Sequence, residues 1–137
     1  MPPNHLRRQL AAVLVIGIGG FAGANLRYLV DLFLASSLLS TLTVNVLGCI
    51  ALGFLLADGV ATELVSERSM LVLATGFTSS FTTYSTFVLD AVLAEPVIGL
   101  SYVFLSYALG FIGVLIGRYV ATLVVTTLPA RPTGGDH

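Results

Sequence analysis

Four long apolar segments follow one another along the chain, separated by short polar connections. They cover roughly residues 10–34, 38–57, 70–94 and 97–128. Each is long enough to cross about 30 Å of hydrocarbon as a helix. The apolar residues run continuously instead of alternating with polar ones, which argues against membrane-spanning strands. The pattern predicts an all-α integral membrane protein, with one domain of four transmembrane helices in residues 1–128 and a disordered Pro/Gly-rich tail in residues 129–137.

The third segment is interrupted by a polar stretch, residues 76–87, which holds seven serine and threonine side chains and four aromatic rings. Serine and threonine hydroxyls compete for backbone hydrogen bonds and favour bends and breaks. At membrane depth a break persists only where it is buried in protein or lines a wet cavity. We therefore expect the third helix to be broken in mid-membrane, as a permeation or binding site. A polar contact between helices is the alternative.

Composition supports the membrane class and excludes several others. Of 137 residues, 56% are hydrophobic and only 9% are charged, and the net charge of −1 argues against a nucleic-acid partner. The single Cys49 excludes an internal disulfide and is expected to be a packing residue. No catalytic carboxylate pair, metal-ligand cluster or phosphate loop is present in the sequence, so we expect no enzyme. Arg7 and Arg8 precede an apolar run too long for a signal peptide, so the first segment is expected to be retained.

Polar side chains in the first two segments have two interpretations each. Arg27 and Asp31 are four residues apart near the end of the first segment, where Arg27 either snorkels to the interface or supplies a buried positive charge. Thr41 and Asn45 share one face of the second segment. Asn45 either bridges two helices or directs an amide N–H at an anion.

Three further polar residues also have two interpretations each, and two glycine pairs have a spacing that indicates helix packing. Asp90 either ends a polar track or lies near the headgroups, and Tyr102 and Ser106 share a face of the fourth segment that either lines a polar path or is interfacial. The pairs Gly19/Gly23 and Gly113/Gly117 have the four-residue spacing that allows helices to touch backbone to backbone.

Three motifs, in this order, resemble those of the Fluc/CrcB fluoride channel family. They are Gly19-Gly20-x-x-Gly23-Ala24-x-x-Arg27-Tyr28, Thr41-x-x-Val44-Asn45-x-x-Gly48 and Phe81-Thr82-Thr83-Tyr84-Ser85-Thr86-Phe87. Each motif alone is weak, but together, on a chain of four apolar segments, they are specific.

The resemblance implies a fluoride-specific channel that exports cytoplasmic fluoride down its electrochemical gradient and protects against fluoride toxicity. It implies an antiparallel, dual-topology-type dimer with two pores and a structural Na⁺ at the dimer centre, held by the carbonyls of Ser79 and Thr82. Arg27 would be a structural charge. The pores would be lined by Asn45, Thr41, Tyr84, Phe87, Thr83, Ser85, Tyr102 and Ser106.

The chemistry of these residues suits a small, strongly hydrated anion, because amides and hydroxyls donate hydrogen bonds and aromatic rings present positive edges. Two positions depart from the family pattern. Ser79-Ser80 replaces two glycines and Tyr84 replaces a phenylalanine, which implies one altered pore or an altered selectivity.

Two other functions fit a small chain with four apolar segments. A small four-helix drug or cation transporter needs a membrane-buried carboxylate in the first segment, where the chain has only Asp31 near the end. A non-conducting structural partner subunit explains the glycine spacing, but not Asn45 together with the hydroxyl-aromatic stretch.

Arginines are distributed unequally between the two sides of the predicted membrane domain. Arg7, Arg8, Arg68 and Arg131 fall on the side of the termini, and the opposite loops, 35–37 and 95–96, carry no Lys or Arg. This bias predicts a multi-pass plasma-membrane protein with cytoplasmic termini. It also predicts that the antiparallel partner is an oppositely oriented paralogous chain; a mixed orientation and a homodimer are the alternative.

Overall fold

The computed structural model describes residues 3–57, 60 and 65–127, with side chains from residue 6 onward. Half of the predicted polar loop after the second segment, residues 58–69, lies outside the described residues, as do Arg131 and the predicted tail. Every regular element within the described residues is helical. The helices are α1 (Pro3–Phe33), α2 (Ser37–Leu55), α3, α4 (Tyr84–Leu93) and α5 (Pro96–Thr127), where α3 consists of Glu67–Met70, Leu71–Thr78 and Ser79–Phe81 in direct succession.

Three of these helices are long and apolar enough to cross a membrane. They contain the spans Leu6–Phe33, Ser37–Leu55 and Pro96–Thr127, which correspond to the first, second and fourth apolar segments of the sequence. The third apolar segment forms two shorter helices, α3 and α4. With 10 residues, α4 is about 15 Å long, which is half the thickness of the hydrocarbon core.

The middle part of α3, Leu71–Thr78, is wound as a wider π-helix. Such windings are rare and occur mostly near functional sites. The segment ends immediately before the hydroxyl-rich residues Ser79 and Ser80, so the departure from ordinary helical winding coincides with the polar stretch.

The helices pack mainly as two pairs, α1 with α3 and α2 with α5, and α4 lies against α5 and α2. Glycines allow the close approach within each pair. A Cβ atom at Gly23 would meet the carbonyl oxygen of Phe77, and one at Gly76 would meet that of Ile16. In the second pair, Gly53 faces Val114 and Gly117 faces Ile50. Both glycine pairs predicted from their spacing therefore lie at helix contacts.

The burial pattern is the reverse of that in a soluble protein. Ser40, Thr41 and Thr78 are almost fully buried, whereas many large apolar side chains on α1 and α5 are exposed. Exposed apolar surface of this extent marks contact with lipid or with another protein. The arrangement is that of a membrane domain whose polar groups face inward.

We expect Gly23→Ala to lower stability by about 1–3 kcal/mol, the usual effect of overpacking. The added methyl group would meet the Phe77 carbonyl and the Phe81 amide nitrogen. Gly17→Ala is the matched control, because no atom lies within 4 Å of its added methyl group. Thermal unfolding of the purified protein in detergent, followed by gel filtration of the soluble fraction, measures the difference. Equal midpoints for the two variants would contradict the role of Gly23 in the α1–α3 contact.

Candidate functional site

The backbone leaves helical geometry between α3 and α4. Thr82 and Thr83 have extended torsion angles, with φ and ψ of −78° and 161° at Thr82 and −148° and 125° at Thr83. Thr83 is also the N-cap of α4, because its hydroxyl accepts a hydrogen bond from the Thr86 amide at 3.3 Å. A threonine at this position favours the start of a new helix. The interruption is therefore specified locally by the threonine pair.

Asn45 on α2 binds the backbone of the interruption at two points. Its Nδ2 donates to the Thr83 carbonyl oxygen at 3.0 Å, and its Oδ1 accepts from the Thr83 amide at 2.9 Å. Of the two interpretations drawn from the sequence, the bridge between helical segments is the one that the geometry contains. The second N–H of the Asn45 amide is not used by this pair, so the side chain retains one donor.

The bond to Asn45 has a consequence for the carbonyl groups at the end of α3. In an uninterrupted helix the Thr83 amide would donate to the Ser79 carbonyl, four residues earlier. Here it donates to Asn45, while the Thr82 amide still donates to Thr78 at 3.0 Å. The Ser79 carbonyl therefore loses its expected helical donor. The backbone becomes extended three residues later, at Thr82.

A groove with a volume of about 270 Å³ runs beside the interruption, between α2, α4 and α5. Four of the residues predicted from the sequence line it: Asn45, Tyr84, Phe87 and Ser106. Sequence reasoning missed the other lining residues, which are Cys49, Tyr107, Gly110, Phe111 and Val114. Their spacing carried a signal, because Cys49 follows Asn45 by four residues and the four α5 residues recur at helical intervals.

Phe87 is the centre of an aromatic cluster in this groove. Its ring is 8% exposed and lies 5.8 Å from Tyr84, 5.4 Å from Tyr102 and 6.0 Å from Tyr107, centroid to centroid. The Tyr107 ring meets Phe87 edge to face, at 87°. Tyr84, in contrast, is 71% exposed. Three tyrosine rings thus lie around the ring of Phe87.

The hydroxyl groups of Tyr102 and Ser106 are buried, and neither meets the distance and angle limits of a hydrogen bond with a described residue, although the Tyr102 hydroxyl has those of Thr41 and Ser106 as neighbours. Leaving a buried donor unpaired costs about 1–3 kcal/mol, so such groups call for an explanation. A hydroxyl without a partner retains its proton for a water molecule or an anion. Both residues were predicted from the sequence, and they lie four apart on α5 as buried donors without a well-formed hydrogen bond among the described residues.

Thr41 differs from Tyr102 and Ser106, because its hydroxyl already donates a hydrogen bond to a carboxylate. Asp90 on α4 accepts hydrogen bonds from Thr41 at 2.8 Å and from Ser37 at 2.7 Å. On the other side of the same helix start, the Ser40 hydroxyl donates to Asp31 of α1. Two carboxylates thus hold the first turns of α2, where negative charge also interacts favourably with the helix dipole. The sequence did not show that Asp90 and Thr41 are partners.

The remaining predicted residues are not among those that line the groove. Thr83 is half-buried at the interruption, and Ser85 is exposed at the start of α4. The exposed Ser79 donates its hydroxyl to carbonyls of its own helix, those of Thr75 and Gly76. The Thr82 hydroxyl likewise donates to the Thr78 carbonyl at 3.0 Å. Arg27 is half-exposed on α1.

Comparison with known proteins gives consistent matches over most of the chain. The family described as "CrcB-like protein, Camphor Resistance (CrcB)" matches residues 14–118. A protein of Haloarcula marismortui named "Fluoride-specific ion channel FluC 1" is 46% identical over 123 residues, which cover 90% of this chain and 95% of the relative. A protein of Oceanobacillus iheyensis named "Fluoride-specific ion channel FluC" is 39% identical over 118 residues, 78% of this chain and 92% of the relative.

A third relative, from Methanospirillum hungatei, is named "Fluoride-specific ion channel FluC 1" and is 39% identical over 106 residues, 77% of this chain and 75% of the relative. These relatives are named as ion channels, which agrees with the prediction that the chain is not an enzyme. The matches confirm the resemblance drawn from the three sequence motifs. The chain belongs to the CrcB family.

Proposed function

We propose that this protein is a fluoride-specific channel of the plasma membrane, through which cytoplasmic fluoride leaves the cell down its electrochemical gradient. The observation that carries the proposal is the pair of buried hydroxyls without partners, Tyr102 and Ser106, in a chain whose relatives are named as fluoride channels. A pore for a hydrated anion must replace its water with donors. Protein hydroxyls that already have acceptors do not meet that need, whereas these two do.

The proposed path for fluoride follows the groove beside the interruption. Three lining residues contribute to this path: Asn45 supplies its remaining amide N–H, Phe87 a ring edge and Ser106 a hydroxyl. Tyr102 does not line the groove, but its ring lies 5.4 Å from that of Phe87 and it supplies a second buried hydroxyl. Tyr84 is the exposed aromatic at the side of the groove, and Thr83 and Ser85 add hydroxyls at the interruption. Thr41 donates to fluoride only when its hydrogen bond to Asp90 opens.

In this proposal α3 and α4 together form one membrane crossing, interrupted in mid-membrane at Thr82 and Thr83, which makes four crossings in all. The short length of α4 supports the assignment, because a 10-residue helix crosses only about half of the hydrocarbon core. The pairing of Asn45 with Thr83 also supports it. At membrane depth the polar groups of the interruption need an internal partner of this kind.

We expect Asn45→Asp to abolish fluoride efflux without preventing assembly. The aspartate keeps the acceptor for the Thr83 amide but loses the donor to the Thr83 carbonyl, which is 3.0 Å away in the wild type. It also places a negative charge on the anion path, which opposes fluoride. Fluoride release from liposomes, read with a fluoride electrode, gives the rate. Asn25→Asp on α1 is the control, because the Asn25 amide bonds only within its own helix, to the Phe21 carbonyl.

Wild-type efflux in Asn45→Asp would rule out Asn45 as a pore residue. If the variant does not assemble by gel filtration, Asn45→Ser answers the same question, because it shortens the side chain and withdraws the amide without adding charge. Efflux at the wild-type rate in Asn45→Ser would likewise contradict the assignment.

A structural Na⁺ at the centre of a dimer is a second element of the proposal. Oxygen ligands suit a hard cation, and the Ser79 carbonyl lacks its expected helical donor because the Thr83 amide binds Asn45. Ser79 is exposed, so its carbonyl region is accessible to a partner subunit. The carbonyls of Ser79 and Thr82 from two protomers would surround the ion and place positive charge near the anion path.

We expect that replacing Na⁺ with N-methylglucamine during purification and assay lowers dimer stability and fluoride efflux, and that returning Na⁺ restores both. A large organic cation does not fit between backbone carbonyls. K⁺ serves as the control for ionic strength. Unchanged dimer stability and efflux in N-methylglucamine would contradict the site.

The partner in this proposal is an oppositely oriented paralogous chain. The groove is open, and the hydroxyl residues Ser79 and Ser85 are exposed. Within a membrane such polar surface needs to be covered by protein. Arg7, Arg8 and Arg68 favour one orientation with the termini in the cytoplasm. A chain with that bias does not supply its own antiparallel partner.

We expect the chain expressed alone to insert with its C-terminus on the cytoplasmic side and to give little fluoride efflux until an antiparallel paralogue is co-expressed. Fusion of the C-terminus to alkaline phosphatase and, separately, to green fluorescent protein reads the compartment. Charge reversal of Arg7 and Arg8 to glutamate is the control that shifts the orientation. Equal signals from both reporters, together with efflux from the chain alone, would establish a dual-topology homodimer instead.

A further inference from the structure

A second cavity, separate from the groove, lies between the beginning of α1 and the beginning of α3. It has a volume of about 310 Å³, at the lower end of the range of roughly 300–1,000 Å³ that is typical of small-ligand sites. Its charged lining residues are Arg7, Arg8, Arg68 and Glu67. Among the described lining residues, three guanidinium groups stand against one carboxylate, which is an excess of two positive charges. This surplus favours an anion.

The geometry of the guanidinium group favours phosphate among anions. Each guanidinium presents a planar fork of N–H donors, which matches phosphate oxygens two at a time. Three such groups from two helices line one volume, and the rest of the described lining consists of Glu67 and the apolar residues Ala11, Ala12 and Leu71. A phosphate group in the cavity would therefore receive donors from both α1 and α3.

The surface next to this cavity is apolar and exposed. Leu10, Val13 and Leu14 on α1 are 54%, 66% and 67% exposed. Arg7, Leu10 and Leu14 follow one another at helical intervals, so they form a single stripe with the charge at its end. At 1.5 Å per residue, the stripe descends about 10 Å from Arg7 to Leu14. An acyl chain would lie along the leucines while its headgroup remained at the arginines.

From this combination of an arginine-lined cavity and an apolar stripe, we propose that the Arg7–Arg8–Arg68 cavity binds the headgroup of an anionic glycerophospholipid. The bound lipid links the start of α1 to the start of α3, on the side of the membrane where the arginines lie. Anionic lipids are concentrated in the cytoplasmic leaflet, which agrees with the orientation proposed above. The lipid site requires only that the chain spans a membrane, and does not depend on fluoride conduction.

The test is native mass spectrometry of the full-length protein in detergent, titrated with dioleoylphosphatidylglycerol and, separately, with dioleoylphosphatidylcholine. We expect the anionic lipid to bind at least about tenfold more tightly than the zwitterionic one, because both carry a phosphate but only the first has a net charge. We expect Arg68→Gln to weaken binding of the anionic lipid several-fold. Arg118→Gln, which removes the same charge from an exposed position on α5 outside the cavity, should leave it unchanged.

Arg68→Lys keeps the charge but loses the guanidinium fork, and we expect intermediate binding. Inorganic phosphate at millimolar concentration is the competitor that distinguishes a lipid from a soluble anion. Displacement of the anionic lipid by phosphate alone would indicate a soluble-anion site and overturn the proposal. So would equal binding of the two lipids, or equal effects of Arg68→Gln and Arg118→Gln. Gel filtration and thermal unfolding of each variant show that the fold is retained.

Discussion

The two hydrogen bonds between Asn45 and the Thr83 backbone are the interaction on which the site depends. A helix that stops and restarts in an apolar surrounding leaves amide and carbonyl groups without partners, and each such group is costly where water is excluded. The Asn45 side chain forms hydrogen bonds with both backbone groups of Thr83, since its amide contains a donor and an acceptor. Because Asn45 belongs to α2 and Thr83 is the N-cap of α4, the same pair of hydrogen bonds sets the position of one helix against the other. The groove beside them is a consequence of that position.

Close packing of the remaining helices makes this arrangement stable without a large apolar core. In a membrane, helices gain little by burying leucine, because the lipid is equally apolar. Contact through glycine, as at Gly23 with Phe77 and at Gly117 with Ile50, brings backbones together and increases dispersion contacts. The interior space that remains is narrow, and it contains hydroxyl groups such as Thr41 and Thr78. Large apolar side chains are left on the outside.

Charged side chains gather at two separate places among the described residues. Arg7, Arg8 and Arg68 gather at the starts of α1 and α3. At the start of α2, Asp31 and Asp90 accept hydrogen bonds from hydroxyl groups. The Thr41 hydroxyl thus has an acceptor in Asp90, while those of Tyr102 and Ser106 have no well-formed hydrogen bond among the described residues. Hydroxyl groups of the same kind therefore differ in whether a carboxylate takes up their hydrogen bond.

The sequence by itself determined the helical membrane class, the family and the glycine contacts. All of these depend on residues close together in the chain, whose spacing directly reflects helical geometry. Only the tertiary structure decided which partners the polar groups have. Asn45 meets Thr83 across 38 residues and Thr41 meets Asp90 across 49, and Tyr107 joins the Phe87 cluster from another helix. No local period encodes such contacts, because they depend on how the helices pack against one another. Backbone contact at glycines and the need to pair the polar groups of the interruption decide that packing.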